Sequence, residues 1–520
     1  MYSSLLQLFV VFALSFSIYT VSAYSRHRHT FFFDKDALSS VEEELIQSLA
    51  PRKVRVKNFT GVREWKVLTP LDDFFKASYQ TLPVWNKDWK VRVQIASGSQ
   101  GLSHPFNIAP TPGIHVGISF DNETFSHRLD YEKVEFVIIC KYLDALFGSI
   151  ICDSGQSLQK MYNLDISHST LLPDGHIYLH SSLPKYHQLP TQTSILGKNV
   201  YFKEYNRPSI LDFDLRFDEK TNQIITDLRM VWNCKNQDIY IIKENEQDRV
   251  ELGVFGPQLD SVKFIGERII IDENDNNPVP TMITVSPRVL SSNLVYFNSS
   301  IIPAQGFHQS FKTSVVLPAS QPNCEFYILH IFPNSFLVDP YQISELFSDN
   351  VQVLGETDLE IPVGVTSLKW GSVVLAKEHL IEQKDNRFEF NLPFRMRYQP
   401  VNSEGSQKSH VVASAPWPLI VYACENMVDD GRAPLFAPTP LPLSLLFSPT
   451  TEFKYILPQK EFLQRNIWPS EAVKVPVGQL DHLKFVERWS IFFALMGCAW
   501  VTWTIKRMQI RHSNDDDKID

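Results

Sequence analysis

The sequence predicts a mainly β protein: two β-sandwich-like lumenal domains in series, followed by one C-terminal transmembrane helix. Three observations predict it. First, Phe388, Phe390, Leu392, Phe394, Met396 and Tyr398 alternate with Glu389, Asn391, Pro393, Arg395 and Arg397, the period of a strand with one buried face. Second, short β-rich runs recur along the chain: 136–140, 239–242, 261–271, 326–332, 372–376, 411–415 and 419–424, set apart by Pro, Asn and Gly. Third, the one long uncharged apolar run near the C-terminus, Trp489–Ile505, stands directly before Lys506 and Arg507. The 520 residues, 44% of them apolar, can bury a large core, and at roughly 100–200 residues per domain they make two or three domains.

Taken in order, residues 1–23 lack acidic groups, run largely apolar and end in Val21-Ser22-Ala23, a small-residue cleavage pattern that reads as a signal peptide. A secreted or lumenal start follows. Residues 40–50 place Val41, Leu45, Ile46 and Leu49 on one helical face, with Pro51 as a stop, and predict a helix. The polar stretch Asp272–Pro280 predicts a linker, dividing an N-terminal β-rich region (24–275) from a C-terminal domain (290–480). Pro393 cannot donate a ladder hydrogen bond, so its strand is expected at a sheet edge or bulge. The uncharged, Pro- and Leu-rich 433–450 is expected to pack on a domain, with a partner contact as the alternative.

Trp489–Ile505 has 17 residues, which at about 1.5 Å each reach roughly 25 Å, just enough to span a thin bilayer such as that of the endoplasmic reticulum. Lys506, Arg507 and Arg511 put the tail, 506–520, in the cytosol and the bulk of the chain in the lumen. Three sequons lie on the lumenal side and make Asn58, Asn122 and Asn298 the expected glycosylation sites. Of six cysteines, Cys498 falls in the span, leaving five in an oxidising lumen. Cys140 and Cys152 could bridge a hairpin or stay as buried thiols.

The net charge of −9 and the scattered Lys and Arg exclude a nucleic-acid stripe. Asp272–Pro278 has the DxNDNxP order of a cadherin calcium linker. Calcium needs about six to eight oxygens, however, and no flanking acidic motifs supply the rest, so a solvated turn is expected. Asp212-Phe213-Asp214 has the DxD spacing of some glycosyltransferases, but its apolar–polar alternation is that of a half-exposed strand. His27 and His29 sit beside the presumed cleavage site and no HExxH, GxSxG, Gly-rich phosphate loop or CxxC occurs, so neither catalytic residue, cofactor nor metal is expected.

The C-terminal part, about 300–508, resembles the PIG-X family and its fungal counterpart, the protease-B-nonderepressible protein. The resemblance rests on Cys324–Phe347 (CEFYILHIFPNSFLVDPYQISELF), on Leu392–Tyr398 (LPFRMRY) with Pro400, on Pro416–Cys424, and on Val475-Pro476-Val477-Gly478 before the span. Departures are Gln309 after Gly306-Phe307-His308, and Arg395 where relatives often have His. The resemblance implies a small, non-catalytic subunit of the endoplasmic-reticulum enzyme that adds the first mannose to the glycosylphosphatidylinositol (GPI) precursor, its partner being a polytopic catalytic subunit. A general lumenal folding factor and a calcium-dependent adhesion protein remain as alternatives.

Overall fold

The computed structural model describes residues 26–34, 46–50, 52–70, 89–96, 111–120, 177–181, 192–193, 200–201, 208–219, 222–243, 245–257, 264–271, 281–285, 289–290, 295–303, 308–317, 321, 323–355, 357–358, 362–363, 371–378, 387–401, 409–425, 439–448, 450–459 and 468–516. The presumed signal peptide, Cys140, Cys152, Asn122 and the run 136–140 lie outside them, as does Asp272–Pro280.

Among the described residues, the N-terminal region is built on one large sheet. Its early strands are β1 (Arg26–Asp34), β2 (Ile46–Ala50), β3 (Lys53–Pro70), β4 (Trp89–Ala96), β5 (Gly113–Phe120) and β6 (Ile177–Ser181). The short β7 (Gln192–Thr193) and β8 (Val200–Tyr201) pair only with each other. Then come β9 (Ile210–Asp218), β10 (Gln223–Ile242), β11 (Arg249–Pro257), β12 (Phe264–Ile271) and β13 (Thr281–Val285). Eleven strands join in the order β13-β12-β11-β1-β3-β10-β9-β4-β5-β6, with β2 on β3. All these pairs are antiparallel except β1 with β11, which is parallel.

The expected N-terminal sandwich is therefore a single continuous sheet. The reason is strand length: β3 and β10 run 18 and 20 residues and pair along nearly their whole length, so they tie together strands that shorter elements would split between two layers. The helix expected over 40–50 is also corrected, because 46–50 form β2. Arg52, at φ 75°, turns the chain so that Ile46 meets Val56 across a hairpin, and ladder pairing overrides local helical periodicity. The polar stretch 272–280 joins β12 to β13, which pair with each other, so both its ends belong to one sheet and that sheet extends to Val285.

The C-terminal region is a sandwich, as expected. One sheet contains β14 (Tyr296–Pro303), β15 (His308–Val316), β20 (Arg387–Met396) and β17 (Phe336–Leu337), in that order. The other contains β18 (Val351–Gly355), β19 (Ser372–Glu378), β16 (Cys324–Phe332), β22 (Leu419–Cys424) and β23 (Glu452–Ile456). A two-stranded ribbon, β21 (His410–Pro416) with β24 (Ser470–Pro476), completes it. Phe311, Phe390, Leu392 and Phe394 from the first sheet and Phe326, Ile328 and Phe332 from the second share one core. In β20 Glu389 and Asn391 are exposed, as the alternation requires. β17 covers β20 only at Arg395 and Met396, so the strand has an open side at Pro393.

Three α-helices are described. α1 (Pro340–Phe347) begins at Asp339, whose carboxylate accepts from the Tyr341 and Gln342 amides at 3.0 and 3.3 Å, with Pro340 in the first turn. α2 (Leu441–Leu446) comes from the uncharged segment, and Leu441, Pro442 and Leu443 are buried, which bears out packing for this part of it. α3 (Leu483–Asp516) runs 34 residues from the end of the sandwich.

Candidate functional site

The strand rule that puts alternate residues on opposite faces gives the first sheet two unlike sides. One carries Leu211, Phe213, Leu215, Val91, Val93, Leu228 and Met230, all buried. The other carries Glu64 and Lys66 on β3, Asp227 and Arg229 on β10, Asp212 and Asp214 on β9, and Arg92 and Gln94 on β4, side by side through the ladder. This face was expected to be wet. Instead Glu64 and Gln94 are fully buried and Asp212 nearly so.

Burial is offset by pairing. Arg92 holds Asp212 through two bonds, Nε–Oδ1 at 2.8 Å and Nη2–Oδ2 at 2.6 Å, a bidentate fork. Arg229 pairs with Glu64, and Lys66 Nζ lies 3.6 Å from the same carboxylate. Asp214 faces Asp227 across the β9–β10 ladder, and burial pushes its carboxyl up to about 6 against the pull of Arg92 and Arg216. The DxD pair is thus half occupied by a guanidinium, and among the described residues no group of three His, Cys, Asp or Glu could hold a metal ion.

The same face meets the C-terminal region at α2. The Gln94 carboxamide accepts from the Leu441 amide at 3.1 Å and donates to the Thr439 carbonyl at 3.4 Å, while Arg92 Nη1 donates to Ser444 Oγ at 3.3 Å. Gly117 is needed for this approach, since a Cβ there would stand 2.8 Å from Leu445 Cδ1. Beside it, His115 donates from Nε2 to the Thr111 carbonyl at 2.8 Å and accepts at Nδ1 from the Tyr178 hydroxyl at 2.7 Å; burial lowers this imidazole to about 4. Nothing in the sequence signals that these residues converge, because they are far apart along the chain.

The C-terminal sandwich is held differently. Cys324 and Cys424 stand opposite each other on β16 and β22 and form a disulfide across a separation of 100 residues. His330, in the same strand, is walled by Phe311, Phe332 and Phe390, with no hydrogen-bond partner for either ring nitrogen among the described residues, and burial lowers it to about 3. Cys234 is a buried thiol of the first sheet, and Cys498 is exposed on α3.

α3 leaves the sandwich with its apolar side chains uncovered: Trp489, Phe492, Phe493, Leu495, Met496, Trp500 and Trp503 are all exposed. Among the described residues, no helix is long and apolar enough to cross a membrane. The reason is that the uncharged run is 17 residues, closed by Arg488 and Lys506, and carries three tryptophans and two threonines. Two of the three sequon asparagines are described. Asn58 and Asn298 are exposed on β3 and β14.

Residues 304–506 match the protein-family model described as PIG-X / PBN1. That segment opens between β14 and β15, takes in the disulfide and most of the sandwich, and ends within α3. A curated relative, Protein pbn1 of Neurospora crassa, is 23% identical over 396 residues, covering 71% of this chain and 75% of that protein. This likeness is longer than the family segment and so extends beyond it.

Proposed function

We propose, from the premise that this chain belongs to the PIG-X/PBN1 family, that it is an accessory, non-catalytic protein of GPI-anchor biosynthesis. Its finer role is the stabilising subunit of the mannosyltransferase that adds the first mannose, bound to a polytopic catalytic partner in the endoplasmic-reticulum membrane. The observation that carries this reading is the joining, inside the family segment, of a disulfide-closed β-sandwich to an exposed apolar helix. The sandwich offers a partner a rigid surface. The helix offers it a lipid-embedded one, with Trp489–Ile505 as the span and Trp489, Trp500 and Trp503 toward its ends, where interfacial anchors sit.

A cross-strand disulfide supports a lumenal position for the sandwich, because such bonds persist in oxidising compartments. Glycans on Asn58, Asn122 and Asn298 belong to the same topology, single-pass with the bulk in the lumen. Two experiments test it. Endoglycosidase should shift the protein's mobility, and protease added to intact microsomes should remove only the tail after Lys506; digestion of the sandwich from outside would overturn the topology. Affinity purification of the full chain should bring down one polytopic partner in constant ratio. Recovery of many unrelated membrane proteins would favour the folding-factor alternative.

A further inference from the structure

The aliphatic face of the first sheet holds a cation with no carboxylate beside it among the described residues. Arg63 and Trp65 alternate with Val62 and Glu64 along β3, so they project to the same side as Trp232 of β10 and His29 of β1, their ladder partners. The Arg63 guanidinium lies 4.8 Å from the Trp232 ring centre and its Nη2 is 3.4 Å from His29 Nδ1. His29 stacks on Trp65 at 5.3 Å. Burial, and then Arg63 itself, keep the His29 imidazole well below its usual range, so it is neutral and its Nδ1 lone pair accepts from the guanidinium.

On the opposite, polar face of this sheet two guanidinium groups have a carboxylate each: Arg92 has Asp212 and Arg229 has Glu64. Among the described residues Arg63 has none. The acidic group that influences it is the Cys234 thiol, which burial pushes up to about 11 and keeps neutral. Two donors are left over, Arg63 Nε and Trp65 Nε1, both out of solvent contact and without a hydrogen-bond partner. Both residues nevertheless keep partial exposure at other atoms, so the cluster lies just beneath the surface. A charge withdrawn from water without a counterion is costly, and stacking on Trp232 offsets only part of that cost.

We propose that Arg63, Trp65, His29 and Trp232 form a binding site for a phosphate group. A guanidinium edge and an indole N–H on two separate side chains suit an oxyanion with several acceptor oxygens, such as phosphate, better than a carboxylate, which uses one planar fork. The phosphate can belong to a soluble monoester or to the phosphodiester head of a lipid, and the test separates them.

Full-length protein in detergent is titrated calorimetrically with inorganic phosphate, glycerol 3-phosphate and dihexanoyl phosphatidylglycerol, with chloride at equal ionic strength as the control. The site predicts saturable binding to at least one probe and a melting temperature that climbs with its concentration. Response to the two soluble probes assigns a monoester, and response to the short-chain lipid alone assigns a headgroup. Arg63→Met should weaken binding at least about tenfold, and Arg63→Lys by less, since charge without the fork retains part of the interaction. Should Arg63→Met fail to fold, Trp65→Phe decides: it keeps the ring and removes the N–H, and should weaken binding roughly threefold with an unchanged melting temperature in the absence of ligand. Absence of saturable binding to all three probes overturns the site, and so does binding that Arg63→Met or Trp65→Phe leaves intact.

Discussion

The two halves of the molecule solve the same problem by opposite means. The C-terminal sandwich buries rings and branched aliphatics between two sheets and locks β16 to β22 with a disulfide. In the N-terminal sheet, one face is largely apolar, with Arg63 and His29 set among its aliphatic and aromatic side chains, while the other buries Glu64, Gln94 and Asp212 behind matched cations and donors. The contrast teaches where specificity resides. Apolar packing tolerates drift so long as volume is kept, whereas a buried charge tolerates nothing that removes its partner. A family model that matches the sandwich and helix but opens only at residue 304 fits a fold held mainly by packing.

The largest expected effect lies in the sandwich. Cys324→Ser with Cys424→Ser removes a crosslink over 100 residues, which by loop entropy is worth about 4–5 kcal/mol. Thermal unfolding of the purified double variant should show a large fall for the C-terminal transition and little for the N-terminal one. Equal falls would mean the two regions unfold as one, with α2 as their bond.

Next comes the polar face. Arg92→Met leaves Asp212 buried without its guanidinium and removes one bond to Ser444, for a loss near the lower end of about 3–5 kcal/mol because the pair keeps some exposure. Replacing both, Arg92→Met with Asp212→Leu, should recover most of it. If the double variant is as weak as the single one, the network matters through α2 rather than through charge.

A smaller contrast concerns acid. His330 has a folded value of about 3, below the 6.5 of the free side chain, so the unfolded chain binds the proton first. Stability is complete above about 6.5 and drains away as pH falls toward 3. Asp214 has the opposite sign: its folded value of about 6 lies above 3.8, so its contribution is complete below 3.8 and is lost as pH rises through 6. His330→Phe should therefore flatten the acid loss in melting temperature, and Asp214→Asn should raise the melting temperature at neutral pH but not below 3.8. The smallest effect is at α1, where Asp339→Ala removes an N-cap worth about 1 kcal/mol.

How much of this was legible depends on what alternation means. In β20 the pattern Phe390, Leu392, Phe394, Met396 against polar neighbours gave strand, face and burial correctly as far as Met396, because one side of that strand does face water, but past the strand's end the expected alternation inverts: Arg397 is buried and Tyr398 exposed. The same pattern in β9 gave the strand but not the environment. Asp212 alternates with Leu211 and Phe213 as a solvated residue would, and its partner Arg92 is 120 residues away. Residues 46–50 show the complement, a helical period overridden by a hairpin. The Cys324–Cys424 bond was hidden for a related reason: which of five cysteines meet is a matter of strand register, which spacing does not carry. The resemblance over 300–508 found the sandwich and its family without any of these contacts, and the seam at Gln94, Gly117 and α2 had no sequence signal at all.

The central claim is that this chain acts by holding a catalytic partner in place. Acute depletion, followed in time by quantitative immunoblotting of the polytopic subunit and by labelling of GPI precursors, tests it most directly. The account predicts that partner abundance falls first, that the unmannosylated glucosaminyl lipid then accumulates, and that overproducing the partner restores part of the flux. Steady partner levels with normal mannosylation after complete depletion, or a mannosylation block that no amount of partner relieves, would contradict it.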